Sequence, residues 1–289
     1  MSDPSPYRNA WIPQAAADFL AAHRGTLLDV GGGAAPHCRA THIVDILPFS
    51  AERLRKNAWG GEERDEGGNL KPEAGREGRR TTSSEPRVPG AGEKALSAEC
   101  RVPGNAWTEE QYTRLDLCES GKWPFGDKQF SLAISSHCLE DLRDPLPAVR
   151  EMCRVARSVA IIVPSRLIEQ TRGADHPRYC GFYHHPWIVF AEGSRLVFRR
   201  KTPVLMLPKC HIVCPYGVRL RPELGSSFLT GESFEPEEQA FWSERDEFDD
   251  YSRFVVPFRG RKDLWIPDER ATGFRHRLWK WRQRWLGEI

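Results

Sequence analysis

Residues 26–36 read Thr26-Leu-Leu-Asp-Val-Gly-Gly-Gly-Ala-Ala-Pro36, an apolar run that leads directly into a glycine-rich turn. The apolar run is typical of a buried β-strand. Glycines at the carboxyl end of a strand let the backbone approach a ligand without Cβ clashes. In open α/β sheets, ligands bind at the carboxyl ends of the parallel strands. The stretch therefore predicts a strand followed by a ligand-binding loop, although a tight turn without a ligand would show the same pattern.

Strand and helix signals alternate along the rest of the chain. A proline start and an alanine-rich composition predict a helix from Pro13 to Arg24. Asp144 as N-cap and Pro145 as the first helical residue predict a second helix. Strands are predicted at residues 42–46, 112–117, 131–135 and 158–163, and two further β-rich runs lie at 196–198 and 211–213. Short apolar strands interleaved with helices predict an α/β fold with a mostly parallel sheet.

The composition of the 289 residues is that of a soluble globular protein, with 39% hydrophobic and 28% charged residues. No stretch approaches the roughly 18 apolar residues of a membrane-spanning helix. The 42 basic and 40 acidic residues nearly cancel, so the net charge gives no reason to expect a nucleic-acid partner. Eight cysteines without framework spacing, and an amino terminus unlike a signal peptide, predict a cytoplasmic protein with reduced thiols.

A low-complexity segment interrupts this pattern. Residues 60–104 contain nine glycines and seventeen charged residues, but only four of Val, Ile, Leu, Met or Phe. Such a stretch buries too little apolar surface to offset the entropy of ordering it. The tripeptide Asn57-Ala58-Trp59 before it recurs as Asn105-Ala106-Trp107 after it. We interpret residues 60–107 as a disordered insert in an otherwise complete domain. The alternative is an ordinary long loop flanked by a chance match.

Acidic residues follow the second and third predicted strands. Asp45 ends the second strand, and Asp116 with Leu117 ends the third. A carboxylate beside the glycine-rich turn can accept hydrogen bonds from the two hydroxyls of a ribose. The turn and Asp45 therefore indicate that a ligand with a ribose could bind at the carboxyl edge of the sheet.

Several segments together carry a family resemblance. They are Leu28-Asp-Val-Gly-Gly-Gly33, Trp123-Pro-Phe125 and the stretch from Phe130 to Pro145. The chain resembles the class I S-adenosylmethionine-dependent methyltransferases of the methyltransferase-11 kind over residues 25–60 and 108–166. The resemblance implies a Rossmann-like, doubly wound, mostly parallel seven-stranded sheet whose last hairpin is reversed.

The resemblance also implies S-adenosylmethionine as the cofactor and seven residues that surround it. These are Asp29, Gly31, Gly33, Asp45, Asp116, Leu117 and Ser135. Asp45 would hold the ribose hydroxyls. Asp116 would meet the adenine amino group, with Leu117 beside the ring.

The remaining four residues would surround the methionine part of the cofactor. Gly31 and Gly33 would pass beside it, and Asp29 would lie near its ammonium group. Ser135 would line the floor near the methyl group, together with its neighbour Ser136.

The sequence departs from the family pattern in the glycine-rich turn. The third glycine position is Ala35, Pro36 follows at once, and Asp45 comes soon afterwards. A dinucleotide site would need a third glycine that opens a full helix and an acid about twenty residues further on. S-adenosylmethionine is therefore the favoured ligand. The alternatives are a dinucleotide or another nucleotide, and a relic site without a ligand.

Three histidines are candidate catalytic residues. An oxygen nucleophile benefits from a general base whose pKa is near neutral, which histidine provides. His137 is the candidate closest to the predicted methyl position, although it also fits a turn cap. Residues 175–187 contain several histidines and aromatic residues close together in the sequence, including His184 and His185. Such side chains suit a hydroxylated ring such as a sugar, while a surface turn is the alternative for this segment.

No metal site is predicted from the sequence. Cys210-His211-x-x-Cys214 offers candidate ligands, together with Cys180, His184 and His185 upstream. The spacing matches no standard zinc pattern, and two Cys-x-x-Cys pairs are absent.

The residues near the C-terminus predict a basic amphipathic helix. Phe274, Leu278, Trp281 and Trp285 recur at helical spacing, with arginines on the opposite face. Such a helix docks onto its own domain, lies on an anionic membrane or binds another partner.

The whole sequence predicts a methyltransferase-like domain at residues 1–220 and a C-terminal extension at 221–289. The predicted activity is S-adenosylmethionine-dependent methylation of a small-molecule or carbohydrate-type acceptor, with oxygen as the favoured atom. A catalytically inactive binding module is the alternative. Nucleic acid is not expected as a partner, because Ser135-Ser-His-Cys138 stands where methyltransferases of nucleic acids carry an Asn/Asp-Pro-Pro-aromatic tetrapeptide.

Overall fold

The computed structural model describes residues 12–59, 107–119, 121–172, 175, 178–206, 212–213, 218–239 and 264–267. Within these ranges the helices are α1 (Gln14–Ala22), α2 (Ala51–Asn57), α3 (Leu146–Val155) and α4 (Arg166–Glu169). The strands are β1 (Leu27–Val30), β2 (His42–Asp45), β3 (Tyr112–Arg114), β4 (Phe130–Ser136), β5 (Ala156–Pro164), β6 (Thr171–Arg172), β7 (Trp187–Glu192), β8 (Arg195–Arg200), β9 (Ile212–Val213), β10 (Val218–Leu220), β11 (Ser226–Gly231), β12 (Glu235–Gln239) and β13 (Trp265–Pro267). Short 3₁₀ turns lie at Glu109–Gln111, Leu139–Asp141, Pro203–Met206 and Pro222–Leu224.

A mainly parallel sheet forms the centre of the fold. Its strand order is β11-β5-β4-β1-β2-β3. The pairs from β5 to β3 are all parallel, and β11 pairs antiparallel with β5 at the edge. The α/β fold with a mainly parallel sheet, predicted from the sequence, is confirmed. The sheet has six strands within the described residues, whereas the family resemblance implied seven.

The last strand of the sheet, β11, comes from a part of the chain where the sequence predicted no strand. The apolar runs at 196–198 and 211–213 were expected to complete the sheet, and this expectation is wrong. They belong to β8, which pairs with β7 and β12, and to β9, which pairs with β6. The edge position goes instead to β11, so the sheet extends past residue 220, where the predicted domain ends. An apolar run indicates burial but does not identify its pairing partner.

Both faces of the sheet are covered, and neighbouring residues of the buried strands point to opposite faces. Leu28 packs in one cluster with Val149 and Met152 of α3. Leu27 packs in the other cluster with Leu20 of α1 and Leu54 of α2. Strands buried on both faces become continuously apolar, which explains the short unbroken runs in the sequence. This arrangement holds the carboxyl ends of β1, β2, β4 and β5 at one edge.

Each copy of the repeated tripeptide ends in a tryptophan, Trp59 or Trp107, and both contact the rest of the fold. The backbone of Trp59 bonds to Pro36 and Cys38, and its ring lies edge-on to His37. Trp107 is only 5% exposed, and its Nε1 donates a 2.8 Å hydrogen bond to the carbonyl of Ala40. The predicted disordered insert at 60–107 therefore ends too late, because its last residue is part of the core. The rest of that segment lies outside the described residues.

Two further expectations concern membranes. Within the described ranges, no helix has the length and apolarity that crossing a bilayer requires. The predicted basic helix at residues 274–286 lies outside the described residues.

Candidate functional site

The glycine-rich turn after β1 is tied to the end of β2. The backbone nitrogen of Gly31 donates to the carbonyl of Val44 at 2.8 Å. The nitrogen of Gly33 donates to Asp45 Oδ2, also at 2.8 Å. Asp45 Oδ1 accepts a second bond from the nitrogen of Leu47 at 2.8 Å. The loop and the acid that were predicted to share a ligand therefore form one hydrogen-bonded unit.

The glycines of this loop are also required by the chain's own side chains. A Cβ at Gly33 would lie 2.5 Å from Asp45 Cγ and 2.6 Å from the Tyr112 hydroxyl. A Cβ at Gly31 would lie 2.2 Å from Cys138 Sγ, and Gly31 has a φ of +81°. Neither glycine has room for a side chain. The loop therefore packs directly against Asp45 at the end of β2 and against the segment after β4.

Asp29 is the buried acid beneath this loop. It is 2% exposed, and its Oδ2 accepts a 2.6 Å hydrogen bond from the backbone nitrogen of His37. Burial raises the pKa of Asp29 to about 7, against the effect of the His37 bond, and the nearby charge of Asp45 raises it further. The carboxyl group can therefore gain or lose a proton near neutral pH.

Asp116, Leu117 and Ser135 are the residues predicted to contact the adenine and the methyl group of the cofactor. Strand β3 ends at Arg114, earlier than predicted, so Asp116 and Leu117 lie in a turn. Asp116 Oδ1 accepts a 2.9 Å bond from the nitrogen of Cys118, while Leu117 is buried and faces Gly31. Ser135 is fully buried, and its Oγ has no hydrogen-bond partner among the described residues.

The segment after β4 joins the loop to the next part of the site. His137 has a φ of +49°, and its backbone nitrogen donates to the carbonyl of Ile162 at 2.8 Å. His137 Nδ1 lies 3.4 Å from Oε1 of the buried Glu140. The strained backbone conformation of a non-glycine residue fixes where this histidine points.

Four carboxylates lie near the thiol of Cys138. Burial raises the pKa of its thiol well above the usual value, and four nearby carboxylates add to the effect. They belong to Glu140, Asp45, Asp141 and Asp29. These carboxylates belong to the end of β2, to the segment after β4 and to β1, and their negative charge would favour a positively charged ligand at this edge. The residues present thus fit a cofactor that carries a sulfonium and an ammonium group.

A cavity of about 760 Å³ lies beside the segment after β4, and we call it the histidine cavity. Its lining includes Asp141, Arg143, Tyr179, Tyr183, His184, His185, Arg200 and Lys201. This volume is in the range that binds small molecules. The predicted candidates His184 and His185 both line it.

His185 is held firmly in the cavity wall. Its Nδ1 donates to Glu169 Oε1 at 2.6 Å, and its Nε2 lies 3.5 Å from Asp141 Oδ1. Burial alone would lower the pKa of His185, but the bond to Glu169 and the surrounding carboxylates raise it overall. Glu169 lies in α4, directly after β5, and also forms an ion pair with Lys201.

His184 is less enclosed. Its side chain is 50% exposed, and its Nε2 lies 3.8 Å from Asp141 Oδ1. The structure therefore brings His184 and His185 together around Asp141. His137 pairs with Glu140 instead.

Sequence reasoning missed the acids that complete these groups. Glu140 and Asp141 lie in the stretch from Phe130 to Pro145 that carries the family resemblance, but neither was predicted to be a site residue. Glu169 was not predicted to be a site residue either. Glu169 precedes His185 by 16 residues. No local spacing signals such a pair, because a loop brings the two side chains together.

Comparison with known families agrees with the resemblance in the sequence. A family model described as a methyltransferase domain matches residues 94–163, about a quarter of the chain. This match confirms the predicted resemblance to these methyltransferases. Comparison with curated proteins gave no significant match.

Two solved structures are similar over part of the chain. One is a complex between the Haloferax volcanii Trm112 methyltransferase activator and a methyltransferase, with 12% identity and a TM-score of 0.29. The similarity covers 55% of this chain and 54% of that one, so this chain spans about half of that structure's length. The other is a SAM-dependent methyltransferase from Aquifex aeolicus, with 15% identity, a TM-score of 0.27, and coverage of 56% and 69%.

Proposed function

We propose that this protein transfers a methyl group from S-adenosylmethionine to an oxygen of a small-molecule or carbohydrate-type acceptor. The match of residues 94–163 to a methyltransferase domain supports the methyl-transfer chemistry. The observation that carries the proposal is the bond between Asp45 and the glycine loop, on the edge that also holds the histidine cavity.

The cofactor would be held by the loop and the strand ends. When bound, it supplies a methyl group on a positively charged sulfur, which a nucleophile displaces in line. The Asp45 carboxylate would accept bonds from the ribose hydroxyls, and Asp116 would meet the adenine. Asp29, as a carboxylate, would favour the ammonium group. The carboxylates around Cys138 give that edge the charge that a cationic donor requires.

The acceptor would occupy the histidine cavity. Tyr179 and Tyr183 are both at least half exposed there and present aromatic faces to a sugar ring. Glu169 holds the ring of His185 and leaves its Nε2 on the side of Asp141. That nitrogen, or Nε2 of His184, would take the proton of the acceptor hydroxyl as the methyl group arrives. His137 lies in the strained turn before Glu140 and is the third candidate.

Calorimetry with S-adenosylmethionine and its demethylated product tests the cofactor. We expect both to bind wild type. We expect Asp45→Asn to weaken binding by tenfold or more, because the amide keeps only one accepting oxygen and lacks the negative charge that strengthens bonds from the ribose hydroxyls. Asp127→Asn is the matched control, since Asp127 is an exposed acid that pairs with Arg154. Absence of binding by wild type would favour the inactive binding module.

Transfer of labelled methyl groups to candidate sugars and small hydroxylated molecules tests the reaction. We expect uptake that is lost in His185→Gln while cofactor binding is retained. Uptake into nitrogen rather than oxygen sites would contradict the proposed acceptor.

We infer a cytoplasmic location without a nucleic-acid partner. Contact with membranes through the predicted helix at 274–286 is a second proposal. Cosedimentation with anionic vesicles, compared with a chain truncated at Gly273, tests it; equal binding by both chains would contradict it.

A further inference from the structure

Three side chains from two separate segments meet in the wall of the histidine cavity. Asp141 comes from the turn after β4, and His184 and His185 come from the loop before β7. One ligand atom from each lies within 4.8 Å of the other two. Two imidazoles and a carboxylate form a donor set that binds divalent transition metals. We propose that these three residues form a binding site for a divalent transition-metal ion, with Zn²⁺ as its most suitable occupant.

The distances between the ligand atoms are close to those of a tetrahedral site. Nε2 of His185 and Nε2 of His184 lie 3.5 and 3.8 Å from the same oxygen of Asp141. Bonds of about 2.1 Å at tetrahedral angles place two ligand atoms about 3.4 Å apart. These two distances exceed that spacing by a few tenths of an ångström, and all three ligand atoms lie within 4.8 Å of one another, so the side chains must approach further to bind an ion. His184 is half exposed and has the freedom to do so.

The surroundings of His185 are those of a metal ligand. Its Nδ1 donates to the buried carboxylate of Glu169 at 2.6 Å, which leaves the lone pair on Nε2. A carboxylate on the far nitrogen of a ligating histidine fixes the tautomer and raises the basicity of the ligand. Lys201 forms an ion pair with the other oxygen of Glu169, Oε2. Glu169 is thus a positioning residue.

Three basic side chains line the cavity, but the charged groups that act on His185 are acids. One of them is Glu140, a buried carboxylate whose two oxygens accept no hydrogen bond among the described residues. Its charge and that of Asp141 both act on His185. A divalent ion would relieve the repulsion among these acids.

Three protein ligands leave one tetrahedral position open, and the cavity of about 760 Å³ adjoins it. Structural zinc sites are closed, whereas sites that contact a substrate keep such a position. The open position would take an oxygen of the ligand in the cavity. If the proposed methyl transfer is correct, the ion would bind and polarise the acceptor hydroxyl, in place of a histidine base.

Metal titration of the full chain, without cofactor, tests the site. We expect one Zn²⁺ per chain by calorimetry after chelator treatment. His184→Ala and Asp141→Asn should weaken its affinity by tenfold or more. Asp127→Asn, at an exposed acid outside the cavity, is the control and should bind Zn²⁺ like wild type. Unchanged affinity in both ligand variants, or no binding by wild type, would overturn the site.

Cobalt substitution separates this site from the cysteines. Co²⁺ bound by imidazole and carboxylate gives ligand-field bands without the charge-transfer band of a thiolate. We expect that spectrum, reduced in His185→Gln. A thiolate band that persists in His185→Gln would assign the metal to cysteines and overturn the proposal. Cofactor affinity, measured separately in metal-free protein, shows whether the proposed methyl transfer fails independently of the metal.

Discussion

The carboxylate of Asp45 lies against the backbone of Gly33, close enough that one hydrogen bond of 2.8 Å joins them. The acid that would hold a ribose therefore also fixes the loop that would lie beside the rest of the cofactor. The two features that the sequence offered as separate signals are one structural unit. Changes to the loop should consequently alter both the stability of the fold and its affinity for a nucleoside ligand.

Replacement of Gly33 by alanine tests this unit. The added Cβ would lie 2.5 Å from Asp45 Cγ, so the loop or the acid must shift. We expect a loss of about 1–3 kcal/mol in the free energy of unfolding, measured with urea. Gly121→Ala is the control, because a Cβ at Gly121 meets nothing within 4 Å. Equal losses in the two variants would contradict the close packing of the loop.

Asp29 should make stability depend on pH. Folding raises the pKa of this carboxyl from 3.8 to about 7, mainly through burial. Between these values the folded chain holds a proton that the unfolded chain has lost. The free energy of unfolding should therefore fall as pH rises from about 4 to about 7, by up to about 4 kcal/mol from this residue, and not change further above that.

Asp29→Asn provides the comparison for this pH dependence. The amide keeps an oxygen that can accept the bond from His37 but does not titrate. Urea unfolding from pH 4 to pH 8 should give a smaller decline in the variant than in wild type. Parallel curves would show that Asp29 does not titrate in this range.

Two excisions distinguish the inserted segment from the fold. Removing residues 60–104 keeps both Trp59 and Trp107 and should leave the free energy of unfolding nearly unchanged, because a long loop costs little entropy. Removing residues 60–107 also removes the buried Trp107 ring and its bond to Ala40. We expect that variant to lose about 3 kcal/mol more. If the two excisions unfold alike, Trp107 contributes less than its burial indicates.

Gly181 and Gly193 form a matched pair for testing the support of His185. Both have left-handed backbones, with φ of +58° and +63°. A Cβ at Gly181 would lie 2.2 Å from Glu169 Oε2 and 2.6 Å from its Cα, whereas a Cβ at Gly193 meets nothing within 4 Å. Gly193→Ala should cost about 1 kcal/mol for the backbone conformation alone.

Gly181→Ala should cost about 1–3 kcal/mol beyond that, because Glu169 must move. Displacing Glu169 also removes the hydrogen bond that orients His185. The NMR resonances of the His185 ring should therefore shift in Gly181→Ala and stay unchanged in Gly193→Ala. Identical spectra in both would mean that Gly181 does not hold Glu169 in place.

The elements were largely predictable because their signals are local. The apolar runs gave β1, β2, β4 and β5 within one or two residues at each end, and the glycines marked the loop after β1. The start of α3 was predicted one residue too early, because Pro145 is the N-cap and the helix begins at Leu146; Asp144 nevertheless accepts a bond from the nitrogen of Leu146. Each of these features depends on residues within a few positions of one another.

Only the tertiary structure decided which distant parts of the chain come into contact. The edge strand β11, the burial of Trp107 against Ala40, and the pairing of Glu169 with His185 have no local spacing that announces them. The same holds for Asp141 beside the two histidines. The sequence by itself determined β1, β2, β4 and β5, the loop and the acid at Asp45, because hydrophobic periodicity and glycine content act within a segment. The identity of the groups that meet across the carboxyl edge came only from packing, because side-chain neighbours there are set by how the whole sheet and its loops fold together.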